Sequence, residues 1–566
     1  MRRTVARGTN IDTLRKDAKR WLKAIRGGDA AALARLRDAW PKAPAAPALR
    51  DIQHAIALEF GLTGWMSLKQ AIADRDDAAR SPDDLAGVLL RAAWDGGDPS
   101  AAARIALRHP ELARHSLHNA VVYGDLAEAR RRLAADPGAA TAKRGSLDWE
   151  PLQYLAYSRL PLPAVADTAR DLAGLLLDHG ADPNAAFDDG WGNMFSVLTG
   201  VIGLGEGIRP PHPRAPDLAA LLVDRGADPF DPQALYNDSI VGDDTRWLDF
   251  LWRRSVERGA EGRWTSLEEK SLGGGRMSAV DYLLGNAVSH DHLARAEWLL
   301  RHGGNPGGRN SYSKQPHHVI AQLHGFTEMA SLLERHGADP ARLTGQPAFL
   351  AACMQRDEAG ARRLAAANPG CLDDPAPLLL GAARDRPDII HLALDLGMPV
   401  DLEGPNGQRA LHSAAHAGAL AAAAALIAAG ADIDRRGGNY NATPLGHGVF
   451  WKNQAMIDLI APLSRDVHGL TASARLDRLG AVLAVEPALA NALDPAGRTP
   501  LLMLPDDEDA AADAVAILLE QGADPLIAAP DGETPEQAAS RRGLDEAAEL
   551  IKEAVASQLQ RERGLS

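Results

Sequence analysis

Apolar residues recur at the three- and four-residue spacing of amphipathic helices along most of the chain, and one helix ending returns many times. In each copy, large apolar residues precede polar residues, a glycine and a turn. The copies are LLLDHGADPN (175–184), LLVDRGADPF (221–230), WLLRHGGNPG (298–307), LLERHGADPA (332–341), LIAAGADID (426–434) and LLEQGADPL (518–526). The glycines predicted to end these helices are Gly180, Gly226, Gly303, Gly337, Gly430 and Gly522. Glycine adopts the left-handed conformation that ends helices at little steric cost.

A second phrase precedes the first by about half a period and predicts the start of another helix. Its copies are GQRALHSAAHAG (407–418), NATPLGHG (441–448), GRTPLLML (497–504) and GETPEQAA (532–539). Thr443, Thr499 and Thr534 stand where a hydroxyl group caps a helix N-terminus, and a proline follows each of them. The step from Gly303 to Gly337 is 34 residues. Each period therefore predicts one pair of helices.

Together the two phrases resemble the ankyrin repeat, whose consensus carries a Thr-Pro-Leu-His turn, paired helices and a terminal Gly-Ala-Asp. The resemblance covers roughly residues 84–555, with about 13 stacked helix pairs, and extends to a subgroup of uncharacterised bacterial ankyrin proteins. It implies an all-α solenoid in which turn histidines such as His412 link neighbouring units. It also implies a non-enzymatic scaffold that binds a partner protein along its concave face and loop tips.

Residues 1–77 carry neither phrase and predict a small helical segment. In IDTLRKDAKRWLKAI (11–25), apolar residues at helical spacing oppose a basic face that contains Arg15, Lys16, Lys19 and Lys23. The segment resembles a short helical leader that precedes ankyrin arrays in bacteria. It is interpreted either as an N-terminal cap or as a surface that docks a partner or anionic lipid. Residues 556–566 are expected to form a C-terminal tail.

The regular spacing fails between Gly180 and Gly303, where two longer loops are predicted at 186–214 and 262–276. Six of the eleven tryptophans also fall between 149 and 298. Insertions in repeat proteins emerge as loops, often on the binding face, and tryptophan and arginine are enriched at binding hot spots. Trp191 and Trp264 lie in the insertions and are the better surface candidates, with a local core as the alternative, whereas Trp247 and Trp298 fit a helix core. The candidate protein-binding residues are Asp188, Asp189, Trp191, Arg209, His212, Tyr236 and Trp264.

Composition and charge narrow the function classes. Hydrophobic residues make up 46% and charged residues 24%, as in folded proteins. The net charge of −14 argues against a general nucleic-acid-coating role and favours a basic partner. Cys353 and Cys371 do not suffice for a disulfide framework or a four-cysteine zinc site. With no signal peptide or membrane-spanning run, we expect a cytoplasmic, monomeric protein.

The sequence offers no ordered catalytic, cofactor or metal constellation, so no such residue is predicted. GLGEG (203–207) lacks the strand–helix context of a dinucleotide site, and SYSK (311–314) lacks its companion motifs. The histidines around His290 and His317 fit structural roles, and the acidic run 505–513 fits a helix N-terminus.

A small-molecule sensor or enzyme is the alternative function, with a pocket formed by the two long loops. Its candidate polar residues are Asp188, Asp189, Glu206, His212 and Tyr236, which would have to converge within hydrogen-bond reach. Delivery into another cell as an effector is a third possibility, for which the termini give no support.

Overall fold

The structure of the chain is a computed structural model. It describes residues 3–562 apart from 7, 46, 48, 95–98, 206–208, 268–271 and 273–276. The described residues form an all-α fold with 32 α-helices and two named strands. The chain divides into two compact units, residues 1–75 together with 344–566, and residues 76–343. In the described part of the chain, no helix is both long and apolar enough to cross a membrane.

The unit formed by 1–75 and 344–566 contains an N-terminal bundle and a series of helix pairs. The bundle consists of α1 (Ile11–Arg26), α2 (Ala30–Ala39), α3 (Leu49–Glu59) and α4 (Trp65–Ala79), the last of which crosses the unit boundary. The pairs comprise α20 (Gly345–Met354), α21 (Glu358–Ala367), α22 (Ala376–Ala383), α23 (Pro387–Asp395), α24 (Ala410–Ala417), α25 (Leu420–Ala428), α26 (Pro444–Phe450), α27 (Gln454–Ile460), α28 (Val467–Ala472), α29 (Leu476–Val485), α30 (Glu508–Glu520), α31 (Pro535–Arg541) and α32 (Asp545–Glu562). Short 3-10 helices lie at Pro369–Asp373, Pro405–Gly407, Pro487–Asn491 and Pro500–Leu502.

The unit formed by 76–343 also consists of successive helices, with one β-hairpin inserted. Its helices are α5 (Pro82–Ala93), α6 (Pro99–Arg108), α7 (Leu117–Tyr123), α8 (Leu126–Ala135), α9 (Pro151–Tyr157), α10 (Pro163–Asp178), α11 (Val197–Ile202), α12 (Ala215–Asp224), α13 (Pro232–Ser239), α14 (Arg246–Glu257), α15 (Gly262–Thr265), α16 (Ala279–Ser289), α17 (Leu293–Arg301), α18 (His317–Leu323) and α19 (Thr327–Arg335). The strands are β1 (Ala186–Asp188) and β2 (Met194–Ser196), and 3-10 helices lie at Pro110–Arg114 and Pro137–Thr141.

The predicted helix ends are present in the structure, with one exception. The six glycines expected to end helices have φ angles between 85° and 111°. The hydroxyl oxygens of Thr443 and Thr534 accept the N–H groups of Gly446 (2.9 Å) and Gln537 (3.2 Å), as N-caps do. The prediction for Thr499 is wrong: its hydroxyl has no hydrogen-bond partner among the described residues, and the short 3-10 helix Pro500–Leu502 follows it in place of an α-helix.

Helix pairs stack on their neighbours in two layers within each unit. In the unit containing 344–566, α24 packs between α22 and α26, while α25 packs between α23 and α27. In the other unit, α9 packs between α7 and α11, and α10 packs between α8 and α12. His412 links successive pairs, since its Nε2 lies 2.8 Å from the carbonyl oxygen of Arg435. The predicted structural role of this histidine is confirmed.

The N-terminal bundle has its own apolar core. The predicted amphipathic helix is present as α1, whose buried residues are Leu14, Ala18, Trp21, Leu22 and Ile25. The Trp21 indole N–H also donates to the carbonyl oxygen of Ala32 on α2 (2.9 Å).

The turn between the two helices of a pair repeatedly adopts the left-handed conformation. Gly418 has it (φ 72°) between α24 and α25, as the sequence predicts. At the same place other pairs carry side chains, for example Asp385 (φ 51°), Lys452 (φ 52°) and Ala474 (φ 56°). A Cβ atom in this conformation costs about 1–2 kcal/mol. These turns therefore store strain that glycine would relieve.

We expect Ala474→Gly to stabilise the protein by about 0.5–1 kcal/mol, because glycine removes the left-handed strain at a modest entropic cost. Ala424→Gly, at an exposed position inside α25, is the matched control and should destabilise by a similar amount. Urea unfolding monitored by circular dichroism measures both. A loss of stability in both variants would show that the turn at Ala474 is not strained.

Candidate functional site: an exposed hairpin and its aromatic base

The first long loop forms a β-hairpin that stands out from the helix pairs. Strands β1 and β2 are antiparallel, with Phe187 opposite Phe195 and Asp188 opposite Met194. The loop DGWGN joins them, and Gly190 and Gly192 both have positive φ angles (91° and 87°). The hairpin therefore depends on glycines where the chain reverses.

The two aspartates of the hairpin hold its tip in one conformation. Asp188 Oδ1 accepts the N–H groups of Gly190 (2.7 Å) and Gly192 (3.1 Å). Asp189 Oδ1 accepts the N–H group of Trp191 (2.8 Å). Hydrogen bonds, of which that from the Asn193 side chain contributes most, lower the pKa of Asp189. Both carboxyl groups are exposed, so the tip offers acceptors to a partner as well.

Trp191 is the most conspicuous side chain of this hairpin because it is 90% exposed. Met194, also on the hairpin, is 54% exposed. Because the indole ring of Trp191 is exposed to water, it adds little to the stability of the isolated chain. Such a ring is available to bury a large apolar area against another molecule without much loss of conformational entropy.

An aromatic cluster anchors the base of the hairpin. The rings of Phe187 and Phe195 stack with centroids 5.6 Å apart, and Phe187 also packs on Trp149 at 4.7 Å. The Tyr157 hydroxyl donates to the carbonyl oxygen of Ser196 (2.7 Å). These contacts fix the hairpin on the buried helix α9, which carries Tyr157.

The predicted residue Arg209 lies over this aromatic base. Its guanidinium carbon is 5.9 Å from the ring centroids of both Trp94 and Phe195. Arg209 is half-buried, and a guanidinium group within about 6 Å of an aromatic ring face is attracted to that ring. The structure thus brings four of the candidate residues, Asp188, Asp189, Trp191 and Arg209, to one hairpin and its base.

His212 does not lie on this surface, although the sequence groups it with the candidate binding residues. Its side chain is 2% exposed, and its Nδ1 accepts the N–H group of Arg214 (3.0 Å). Burial, aided by the nearby charge of Arg159, lowers the pKa of His212 to about 3. The ring is therefore neutral. It is buried because the segment PPHP turns back onto the core before α12 begins.

Trp264 lies in the core, which is the alternative that the sequence leaves open for it. Its ring is completely buried, its indole N–H donates to Ser255 Oγ (2.9 Å), and it packs against Trp252 with ring centroids 5.4 Å apart. Phe230 and Trp298 complete its surroundings. The second long loop begins with the helical turn α15, which directs this ring inward. By contrast, the burial of Trp247 and Trp298 confirms their predicted core roles.

Tyr236 lies on α13 at a cleft of about 350 Å³. Two further tyrosines line the cleft, and the hydroxyl groups of Tyr282 and Tyr312 are 2.7 Å apart. The amides of Asn286 and Asn310 also line it. Burial, as the main cause, raises the pKa of Tyr282 well above its usual range. This cleft can hold a small or planar group between aromatic and amide side chains.

The polar residues proposed for a pocket between the two long loops do not converge, as far as the structure describes them. Asp188 and Asp189 form hydrogen bonds within the hairpin, His212 is buried elsewhere, and Tyr236 lines the cleft of α13 and α16. Glu206 and most of the tip of the second loop lie outside the described residues. Within the described ranges, no group of three or more His, Cys, Asp or Glu side chains is placed to hold a metal ion.

A second exposed aromatic patch escaped the sequence analysis. Tyr440, Phe450 and Trp451 are 62%, 67% and 51% exposed, and the Trp451 indole N–H points to Nδ1 of His416 (3.2 Å). The sequence feature that could have revealed this patch is the adjacent pair Phe450–Trp451. Adjacent side chains in a helix point about 100° apart, so a narrow buried face cannot accommodate both. Tyr440 lies in the turn GGNYN, a sequence typical of a loop tip.

Among the comparisons with known proteins, the one with solved structures finds likenesses. No family model matches the chain, and no curated protein matches it. Among solved structures, a crystal structure of an ankyrin repeat domain from Acinetobacter baumannii aligns with 25% identity and a TM-score of 0.25. The alignment covers 32% of this chain and 98% of that domain.

The opposite environments of two tryptophans predict opposite effects of their removal. We expect Trp264→Ala to destabilise the unit formed by 76–343 by about 3–5 kcal/mol, because it leaves a cavity and removes the hydrogen bond that the indole N–H donates to Ser255 Oγ. Trp191→Ala should change stability by less than about 0.5 kcal/mol. Thermal unfolding of the two variants distinguishes them. Equal shifts in the unfolding midpoint would contradict the assignment of one ring to the core and the other to the surface.

Proposed function

We propose that this chain is a non-enzymatic ankyrin-repeat scaffold of the cytoplasm that binds a partner protein. The helical pairs, their two stacked layers and the recurring Gly-Ala-Asp endings support an ankyrin solenoid. Pairs that contact only their neighbours leave loop tips free to vary, which suits such folds to recognition.

The observation that carries the proposal is the 90% exposure of Trp191 on a hairpin whose tip is fixed by hydrogen bonds. Binding hot spots are enriched in tryptophan held in a defined position and surrounded by polar groups. The indole would enter an apolar pocket of the partner, and the carboxylates of Asp188 and Asp189 would face basic or N–H donor groups at its rim. The net charge of −14 favours a basic partner surface as well.

A pull-down from the native host tests this proposal. We expect the tagged full-length protein to retain a stoichiometric protein partner, and Trp191→Ala to weaken that complex by about 30-fold or more, as the loss of a hot-spot side chain does. Trp451→Ala is the matched control, since it removes an exposed indole from the other unit. Unchanged binding of the Trp191→Ala variant, or equal loss in both variants, would contradict recognition through the hairpin.

The tyrosine-lined cleft supports a second candidate, a site for a small molecule. Its volume of about 350 Å³ and its aromatic and amide lining match the properties of ligand pockets. Native mass spectrometry of protein purified from the host tests this function. A bound compound that Tyr282→Ala loses and Trp191→Ala retains would support the cleft, whereas a compound retained by both variants would exclude it.

A further inference from the structure

Helix α1 of the N-terminal bundle contacts the last two helix pairs of the same unit through opposite charges. Arg15 Nη1 lies 2.9 Å from Asp545 Oδ2 on α32, and Arg15 Nε lies 3.1 Å from Glu508 Oε2 on α30. About two turns further along α1, Lys23 Nζ lies 3.6 Å from Glu553 Oε1 on α32. We call this contact of α1 with α30 and α32 the clasp. The basic face seen in the sequence is therefore turned toward carboxylates of the same chain.

A buried carboxyl group lies at the centre of the clasp. Glu546 on α32 is 8% exposed, and its Oε2 has no hydrogen-bond partner within the described residues. Lys19 faces it from α1, and three acidic side chains face it from α30: Glu508, Asp509 and Asp513. Burial, reinforced by Asp509, Glu508 and Asp513 against the opposing charge of Lys19, raises the pKa of Glu546 to about 7.

Burial and neighbouring charges also shift the pKa values of other groups in the clasp. Burial is the first cause that raises the pKa of Glu508 and of Asp509, and it also lowers the pKa of Lys19. Further cations face α30 from the bundle, namely Lys69 on α4 and Arg50 on α3. Cationic and acidic side chains from both sides therefore meet at the contact, and Glu546 is buried among them.

The clasp is also loosely packed, which allows it to open. A cavity of about 790 Å³ lies beside the ion pairs between α1 and α32, and it is lined by charged side chains of both helices, including Lys16, Lys19, Glu549 and Glu553. The apolar core of the bundle is a separate cluster made of residues from α1 to α4. The bundle therefore does not depend on α30 and α32 for the burial of its own apolar residues.

We propose that the clasp is a proton-sensitive switch: a proton on Glu546 closes α1 onto α30 and α32, and its loss loosens the contact. When the clasp closes, Glu546 leaves water and is buried near other carboxylates. This burial favours the protonated form of its side chain. In the open state Glu546 returns to its ordinary pKa of 4.5. The closed state thus binds more protons between these two values, so closing is favoured as the pH falls below about 7 and is weakest above it.

Fluorescence energy transfer in the full chain tests the switch. Donor and acceptor dyes are placed on Lys42→Cys and Gln560→Cys, both exposed positions, since the native Cys353 and Cys371 are buried. Sodium chloride screens the ion pairs and opens the clasp, and its midpoint concentration is measured at about pH 6 and about pH 8.5. We expect the closing constant to fall about tenfold between these pH values, which lowers the salt midpoint.

Three variants separate the proton effect from the ion pairs. Glu546→Gln should keep the high midpoint at both pH values, because its amide stays neutral. Arg15→Ala should lower the midpoint at both pH values while keeping the difference between them. Arg37→Ala, an exposed arginine on α2, should behave like the unmodified protein. A midpoint that does not depend on pH, a Glu546→Gln variant that keeps the pH dependence, or a clasp that no salt concentration opens would overturn the proposal.

Discussion

Each helix pair in this chain stays folded because it buries small apolar side chains against the pairs on either side. Helices α24 and α25 show this most simply: their buried residues include Ala414, Ala415, Ala422 and Ala423, each at most 1% exposed. Alanine loses no side-chain entropy when it is buried and lets neighbouring helices approach closely. The cost is that a single pair buries little area, so no pair is stable without its neighbours. The low aromatic content of 5% is a direct result of this design.

The same constraint explains where larger side chains are found. In the part of the chain between Trp149 and Trp298, the packing between helices relies less on alanine, and aromatic rings fill the space. One group of rings surrounds Trp264, and another supports the base of the β1–β2 hairpin. Because those rings secure the hairpin from below, its tip needs no contact with the helices and can hold Trp191 in water. The binding surface that we propose thus depends on aromatic rings that take the place of alanine side chains in the packing beneath the hairpin.

Local chemistry could be read directly from the sequence. The glycines that end helices, the caps at Thr443 and Thr534 and the amphipathic helix α1 depend on residues close in the chain. The sequence could not distinguish the exposed Trp191 from the buried Trp264. Both lie in insertions without repeat spacing, and only the tertiary fold decides which ring is buried. The same reason applies to His212. The clasp partners of Arg15 lie about five hundred residues away in the chain, beyond the reach of any periodicity argument.

The most direct test of the central claim is a contact made by the hairpin tip itself. A photo-reactive phenylalanine analogue placed at position 191 of the full-length protein would be irradiated in the native host, beside the same analogue at position 451. If the hairpin is the recognition surface, position 191 crosslinks to one protein in high yield and position 451 does not. Crosslinking to that protein only from position 451, or none from position 191, would contradict the account.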